Sequence, residues 1–106
     1  MRVLFDQGTP VPLRQALLNH SVSTAYELGW ATLKNGELLY LAEEQGYEVL
    51  VTTDTKLRYQ QNLAARRIAI VVLSTTSWPR IRSITDRVAS VVDSASIGSY
   101  VEISVP

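Results

Sequence analysis

The chain has 106 residues, which suits one compact domain and is too short for two. Ten Lys and Arg residues balance ten Asp and Glu residues, so the total charge gives no global attraction to nucleic acid or to an anionic membrane. The absence of Cys excludes disulfides, thiolate zinc sites and cysteine nucleophiles, and it favours the cytoplasm. Because no uncharged apolar stretch is long enough to cross a bilayer and Asp6 comes too early for a signal peptide, we expect one cytoplasmic domain, residues 1–106, with no membrane partner.

The first half of the chain begins with two predicted strands separated by a helix. Residues 3–5 form a short apolar run that stops at a turn signal, which is typical of a buried strand. Thr9 and Pro10 indicate an N-cap and the first turn of a helix that ends near residue 20. Residues 21–24 predict a second, shorter strand.

The middle of the chain predicts a second helix and a third strand. Asn35 is the expected N-cap, the apolar spacing that follows is helical, and Gly46 is the expected stop. Residues 49–51 form the next buried strand, which ends in Thr-Thr-Asp.

The second half predicts an exposed helix over residues 57–67 and a β-branched strand over 68–73. A long helix begins at Trp78, and residues 100–105 alternate as an edge strand. This alternation of strands and helices predicts an α/β fold, with three α/β/α layers around a mainly parallel sheet of about five strands.

Two of the predicted strands end in an aspartate, Asp6 and Asp54. If these strands are neighbours in a parallel sheet, both carboxylates point into one crevice at the carboxyl ends of the strands. Two close carboxylates repel each other unless a proton or a cation lies between them, and hard oxygen ligands favour Mg²⁺ or Mn²⁺. The competing interpretation is local: Asp54 caps the following helix, and Asp6 forms an Asx turn with Gly8 or Thr9.

Three segments, in order, resemble the toxin-type PIN-like domain family: the run 4–10, the helix start and end within 35–46, and Val-Leu-Val-Thr-Thr-Asp at 49–54. The resemblance extends from residue 1 to about residue 73. It implies a Mg²⁺- or Mn²⁺-dependent endoribonuclease that cleaves single-stranded RNA, the toxin of a toxin–antitoxin pair whose partner is a small antitoxin protein.

The resemblance implies catalytic and metal-binding roles for Asp6, Glu37 and Asp54. Glu37 also has a local explanation, because a negative charge in the first turn of a helix interacts favourably with the helix dipole. Among residues near these acids, Lys56 and Arg58 are candidates to contact RNA phosphates. Thr53 and Asn35 complete the candidate set of substrate-binding residues.

Two positions depart from the family pattern: Asn35 stands where the family usually has an aspartate, and Lys56 where it often has a second acid. An amide binds a divalent cation less strongly than a carboxylate does, and an ammonium competes with the cation for the acids. The alternative is therefore a catalytically degenerate PIN-like domain that binds RNA or protein.

A further alternative is a phospho-receiver-like regulatory domain, in which Ser74 would follow the fourth strand. Receivers typically have an acid pair after the first strand and a lysine at the end of the fifth, whereas Gln7 follows Asp6 here and no lysine follows Lys56. A homodimer with Trp30 or Trp78 at its interface is also open, because exposed tryptophans anchor interfaces.

Overall fold

A computed structural model describes residues 1–60 and 62–106. The strands are β1 (Arg2–Phe5), β2 (Ser21–Thr24), β3 (Val49–Thr52), β4 (Ala69–Leu73) and β5 (Tyr100–Ile103). The α-helices are α1 (Asn35–Glu44), α2 (Leu57–Gln60), α3 (Trp78–Ile81) and α4 (Thr85–Asp93), and Val11–Ala16 and Arg82–Ile84 form 3₁₀ helices. In the described ranges, no helix is long and apolar enough to cross a bilayer.

The five strands form one parallel sheet in the order β2-β1-β3-β4-β5. The predicted α/β class with a parallel sheet of about five strands is confirmed. The chain passes from β1 outward to β2 and then crosses to β3 on the other side of β1. The strand order therefore reverses between β1 and β3, and their carboxyl ends flank the crevice in which open α/β sheets bind ligands.

Apolar side chains cover both faces of this sheet, which makes the fold three-layered. Val3 and Phe5 belong to a cluster that includes Leu13 and Val88, so the first 3₁₀ helix and α4 pack on that face. Leu4 belongs to the opposite cluster, which contains residues of α1 and α2. All nine residues of β3 and β4 are buried, as expected for inner strands of a parallel sheet covered on both sides.

The two tryptophans lie partly inside these layers. Trp78 packs against the first cluster and Trp30 against the second, where it meets the Tyr47 ring edge-on with centroids 6.2 Å apart. A homodimer interface through either residue stays a prediction.

Two N-cap predictions were wrong. Pro10 and Lys34 occupy the N-cap positions, and neither makes a side-chain capping hydrogen bond. Thr9 and Asn35 instead direct their side chains across the carboxyl edge of the sheet, where longer-range partners compete with local capping. The first helix is also a short 3₁₀ helix that ends at Ala16, before the predicted end near residue 20.

The exposed helix predicted over residues 57–67 is shorter than expected, because residues 62–67 are not helical. Asn62 Oδ1 accepts the backbone N–H of Ala64, and Glu43 Oε2 accepts that of Arg67. Side chains that capture backbone N–H groups offer the chain an alternative to the helix. Residue 61, within the predicted helix, lies outside the described residues.

The helix predicted from Trp78 is present as a helical segment that continues to Asp93, with a 3₁₀ turn between α3 and α4. The Ser83 hydroxyl donates to the carbonyl of Arg80 at 2.7 Å in this turn. Such back-bonding by serine bends helices, which accounts for the interruption. The last strand ends at Ile103, two residues before the predicted bound.

Candidate functional site

The two predicted aspartates lie at the same edge of the sheet. Asp6 directly follows β1 and Asp54 comes two residues after β3. The two strands are hydrogen-bonded neighbours with Phe5 opposite Val51, and the N–H of Asp6 donates to the carbonyl of Val51 at 3.2 Å. The two strands are therefore neighbours, which was the condition for a shared crevice, and both aspartates flank the point at which the strand order reverses.

A buried threonine connects the two aspartates. The Thr52 side chain, whose residue is 1% exposed, donates its hydroxyl hydrogen to Asp6 Oδ2. The Thr52 hydroxyl oxygen also accepts the backbone N–H of Asp54 at 3.0 Å. A single hydroxyl therefore fixes the carboxylate of Asp6 relative to the backbone of Asp54.

Two hydroxyl groups contact the Asp6 carboxylate. Besides Thr52, the Thr9 hydroxyl lies 2.8 Å from Oδ1 and equally close to the Val51 carbonyl oxygen, and the N–H of Thr9 donates to the main-chain carbonyl of Asp6 at 3.2 Å. Burial raises the pKa of Asp6 above its ordinary value, and the hydrogen bonds from Thr52 and Thr9 act in the opposite direction. The Asp6 carboxylate therefore has a local partner, Thr9, as the turn interpretation expects, and also a partner from β3.

Asp54 connects the turn that follows β3 to the start of α1. Its Oδ1 accepts the N–H of Lys56 at 3.0 Å, which is the local contact expected of a turn-forming aspartate. Its Oδ2 accepts Nδ2 of Asn35 at 2.7 Å, and the same amide nitrogen lies 3.4 Å from Oε1 of Gln60. Asn35, at the start of α1, is thus brought to the aspartate as part of the site.

Glu37 lies on the exposed surface of α1, two residues after Asn35. Among residues 1–60 and 62–106, no group of three or more His, Cys, Asp or Glu side chains is placed to hold a metal ion. The two aspartates and Asn35 therefore form the core of the site, and the role of Glu37 as a third ligand stays a prediction.

The donor atoms of the site fit Mg²⁺ or Mn²⁺ by chemical type. Two carboxylates, one amide and the Thr52 hydroxyl supply only hard oxygen ligands. A carboxylate has about four lone-pair positions, and the hydroxyls of Thr9 and Thr52 use two of those of Asp6. Asp6 therefore keeps lone pairs for a cation, and at Asp54 the Asn35 amide can turn so that its oxygen, instead of Nδ2, faces the cation.

Of the two predicted phosphate-binding residues, Lys56 is exposed and Arg58 is already in an ion pair. The Lys56 side chain is exposed close to Asp54, whereas Arg58 pairs with Glu102 at 3.4 Å and stacks over the Tyr59 ring at 4.7 Å. Contact of Arg58 with a phosphate would therefore break an existing ion pair.

Thr53 lies beside the turn that follows β1. A Cβ added at Gly8 would come within 2.5 Å of Thr53 Oγ1, so this close approach requires glycine at position 8. Ser74, the candidate in a receiver-like domain, lies directly after β4, and its hydroxyl oxygen accepts the N–H of Val105 at 2.8 Å.

A cavity of about 360 Å³ lies beside Asp6 and contains Tyr26, which sequence reasoning did not identify as a site residue. A larger cavity of about 770 Å³ lies at the opposite edge of the sheet and includes none of the predicted site residues in its lining.

Sequence reasoning also missed Thr9 and Thr52. The Val-Thr-Thr-Asp run shows that a threonine ends the strand, but the pairing of Phe5 with Val51 is what places Thr52 beside Asp6. The proximity of Thr52 to Asp6 can therefore be predicted only when the register of β3 against β1 is known.

Comparison of the chain with protein-family models, with curated proteins and with solved structures gives no match, so the functional assignment depends on the geometry of this site.

Proposed function

We propose that this chain is a PIN-like, metal-dependent endoribonuclease that hydrolyses phosphodiester bonds in single-stranded RNA, and that it is the toxin of a toxin–antitoxin pair. The observation that carries the proposal is that Asp6 and Asp54 follow neighbouring strands at the reversal of strand order, with the Thr52 hydroxyl bonded to the Asp6 carboxylate and to the Asp54 backbone N–H. Such crevices are the usual ligand sites of open α/β sheets. The proposal implies a cytoplasmic location and a small antitoxin that covers the crevice.

The roles of the residues follow from their placement. Asp6 and Asp54 supply negative oxygens from two separate strands, and Thr52 and Thr9 hold the Asp6 carboxylate in a fixed orientation. A bound Mg²⁺ or Mn²⁺ would activate a water and stabilise charge on the phosphodiester. Lys56 is exposed and its backbone N–H donates to Asp54, so its side chain would be the one to contact a neighbouring phosphate.

One observation favours a second function, a catalytically degenerate domain that binds RNA or protein. Asn35 donates an amide hydrogen to Asp54 Oδ2, and it occupies the position of a family aspartate. An amide donor satisfies the charge of Asp54 without a cation. In this alternative the crevice keeps its shape but lacks a ligand set strong enough for catalysis.

Thermal unfolding with and without Mn²⁺ or Mg²⁺ separates the two functions. A cation at about one hundred times its Kd stabilises the folded state by about 2.7 kcal/mol. In a domain of this size, that corresponds to a rise in Tm of roughly 10–20 °C. We expect the rise in the wild type and its loss in Asp54→Asn.

Glu44→Gln is the matched control, because Glu44 is an exposed acid on α1 away from the crevice and should keep the metal-dependent rise. Cleavage of single-stranded RNA should require the metal and both aspartates. Asp6→Asn disturbs several hydrogen bonds, so Asp54→Asn is the deciding variant. A wild type that gains no stability from either metal and cleaves no RNA would contradict the nuclease proposal and favour the degenerate domain.

A further inference from the structure

The cavity beside Asp6 presents two exposed apolar surfaces. Tyr26, in the turn after β2, is 77% exposed, and Val11, at the start of the first 3₁₀ helix, is 53% exposed. The cavity has a volume of about 360 Å³, which is within the range of small-ligand sites. An aromatic ring left open to solvent beside a polar crevice is a surface on which a flat ligand can stack.

The turn that carries Tyr26 is held in place by hydrogen bonds. The N–H of Thr24 donates to Glu27 Oε1 at 2.9 Å, and the N–H of Glu27 donates to the Thr24 hydroxyl at 3.1 Å. Arg14 also donates to the same Oε1 atom of Glu27. Within the described residues, the donors from Thr24 and Arg14 both reach Oε1 of Glu27, and Glu27 lines the cavity with its carboxylate held by the turn.

The charges of the wall favour a neutral ligand over an anion. Arg14, the cation next to the cavity, is neutralised by Glu27, and the remaining ionisable group, Asp6, is a carboxyl. A phosphate would face two carboxyl groups there. A nucleobase is flat and uncharged, and its exocyclic amino group can donate to a carboxylate oxygen.

We propose that this cavity receives one unpaired nucleobase of a single-stranded RNA, which stacks on Tyr26 and donates an exocyclic amino hydrogen to Glu27 Oε2. The inference rests on the proposed function, since it places the strand so that an adjacent phosphodiester lies at Asp6. A base that is paired within a duplex cannot enter the cavity, so this subsite would select single-stranded RNA by its shape.

Binding of nucleosides to the full chain tests the cavity independently of cleavage, because a nucleoside has no phosphate. Titration of cytidine, followed by NMR shifts of residues 24–27, should show saturable binding in the wild type. Tyr26→Ala should weaken both cytidine and a single-stranded RNA hexanucleotide by roughly tenfold or more, while Tyr26→Phe retains the ring and the affinity. Tyr40→Ala, at an exposed tyrosine of α1, is the matched control and should change neither.

The hydrogen bond to Glu27 is tested by base preference. Cytidine carries an amino group where uridine carries a carbonyl, so the wild type should bind cytidine more tightly than uridine. Glu27→Gln should remove this preference, because the amide can donate as well as accept.

The outcomes separate this inference from the proposed function. Nucleoside binding that depends on Tyr26, in a chain that cleaves no RNA, would support the base subsite and contradict the nuclease. RNA cleavage with unchanged kinetics in Tyr26→Ala and without nucleoside binding would overturn the base subsite and leave the nuclease intact.

Discussion

At the scale of single residues, Thr52 has the largest influence on the geometry of the site. Its hydroxyl is both a donor to Asp6 and an acceptor from the backbone of Asp54, and it is 1% exposed. Water cannot replace a hydroxyl lost at so buried a position without rearrangement. The arrangement of the two aspartates therefore depends on a residue that carries no charge.

Replacing Thr52 by valine keeps the volume and removes the hydroxyl. We expect a loss of about 1–3 kcal/mol in the free energy of unfolding, because Asp6 and the Asp54 N–H each lose a partner in a buried environment. Urea denaturation measures the loss. Thr55→Val, at an exposed threonine in the turn after β3, is the control and should shift stability by less than about 0.5 kcal/mol. Equal effects in the two variants would contradict the linking role of Thr52.

The raised pKa of Asp6 gives stability an unusual dependence on pH. Because the folded-state pKa lies above the ordinary value of 3.8, the folded protein binds this proton more tightly than the unfolded chain does. The stability contributed by the Asp6 carboxyl is therefore fully present below pH 3.8 and is lost as the pH rises through the folded-state pKa.

The difference in unfolding free energy between the wild type and Asp6→Asn isolates this effect, because other acids titrate in both proteins. Measured by urea denaturation in metal-free buffer, the wild type should gain stability relative to the variant as the pH falls. A difference that grows in favour of the wild type as the pH rises would show that hydrogen bonding, and not burial, dominates at Asp6.

At the scale of elements, α1 supplies Asn35 to the site, and a glycine that follows the helix determines where it ends. Gly46 adopts φ +81°, the left-handed conformation that closes a helix and that glycine adopts without strain. Gly36 lies inside the first turn of the same helix, where glycine has no such advantage.

Alanine substitution at these two glycines should have opposite effects. Gly46→Ala should lower the unfolding free energy by roughly 1–2 kcal/mol, because an L-residue is strained in the left-handed region. Gly36→Ala should raise it by about 0.5–1 kcal/mol, because alanine favours the helix. Thermal unfolding of both variants checks the signs, and Gly29→Ala, at φ +76° with no atom near its Cβ, should reproduce the loss at Gly46.

At the scale of the whole molecule, the charges balance and many of the arginines have partners. The chain has ten basic and ten acidic residues. Arg14, Arg58 and Arg66 form ion pairs with glutamates. Arg80 donates to two backbone carbonyls near the end of the chain. Lys56 follows Asp54 by two residues, and Arg58, the next cation along the chain, is already paired with Glu102, so an RNA bound at the aspartates meets few cations.

Binding of single-stranded RNA should consequently depend weakly on salt. About two phosphate contacts correspond to a slope of roughly −1.4 in a plot of log affinity against log salt concentration. Lys56→Gln should reduce the magnitude of the slope by about 0.7, and Arg87→Gln, at an exposed arginine of α4, should leave it unchanged. A steep slope, or one that Lys56→Gln leaves intact, would show that other cations contact the strand.

The sequence by itself determined the layers, the parallel sheet and the two strand ends that carry aspartates, because apolar runs and turn residues are local signals. It also determined the end of α1, because the stop needs only glycine at position 46. It did not determine the end of α2, where Asn62 and Glu43 compete for backbone N–H groups.

Only the tertiary structure decided how the site is assembled. Thr52 reaches Asp6 across 46 residues of chain, and Asn35 reaches Asp54 across 19. These contacts depend on the register of β3 against β1 and on the position of α1 over the sheet. A shift of one residue in that register would turn Thr52 to the other face, which no local pattern of residues can specify.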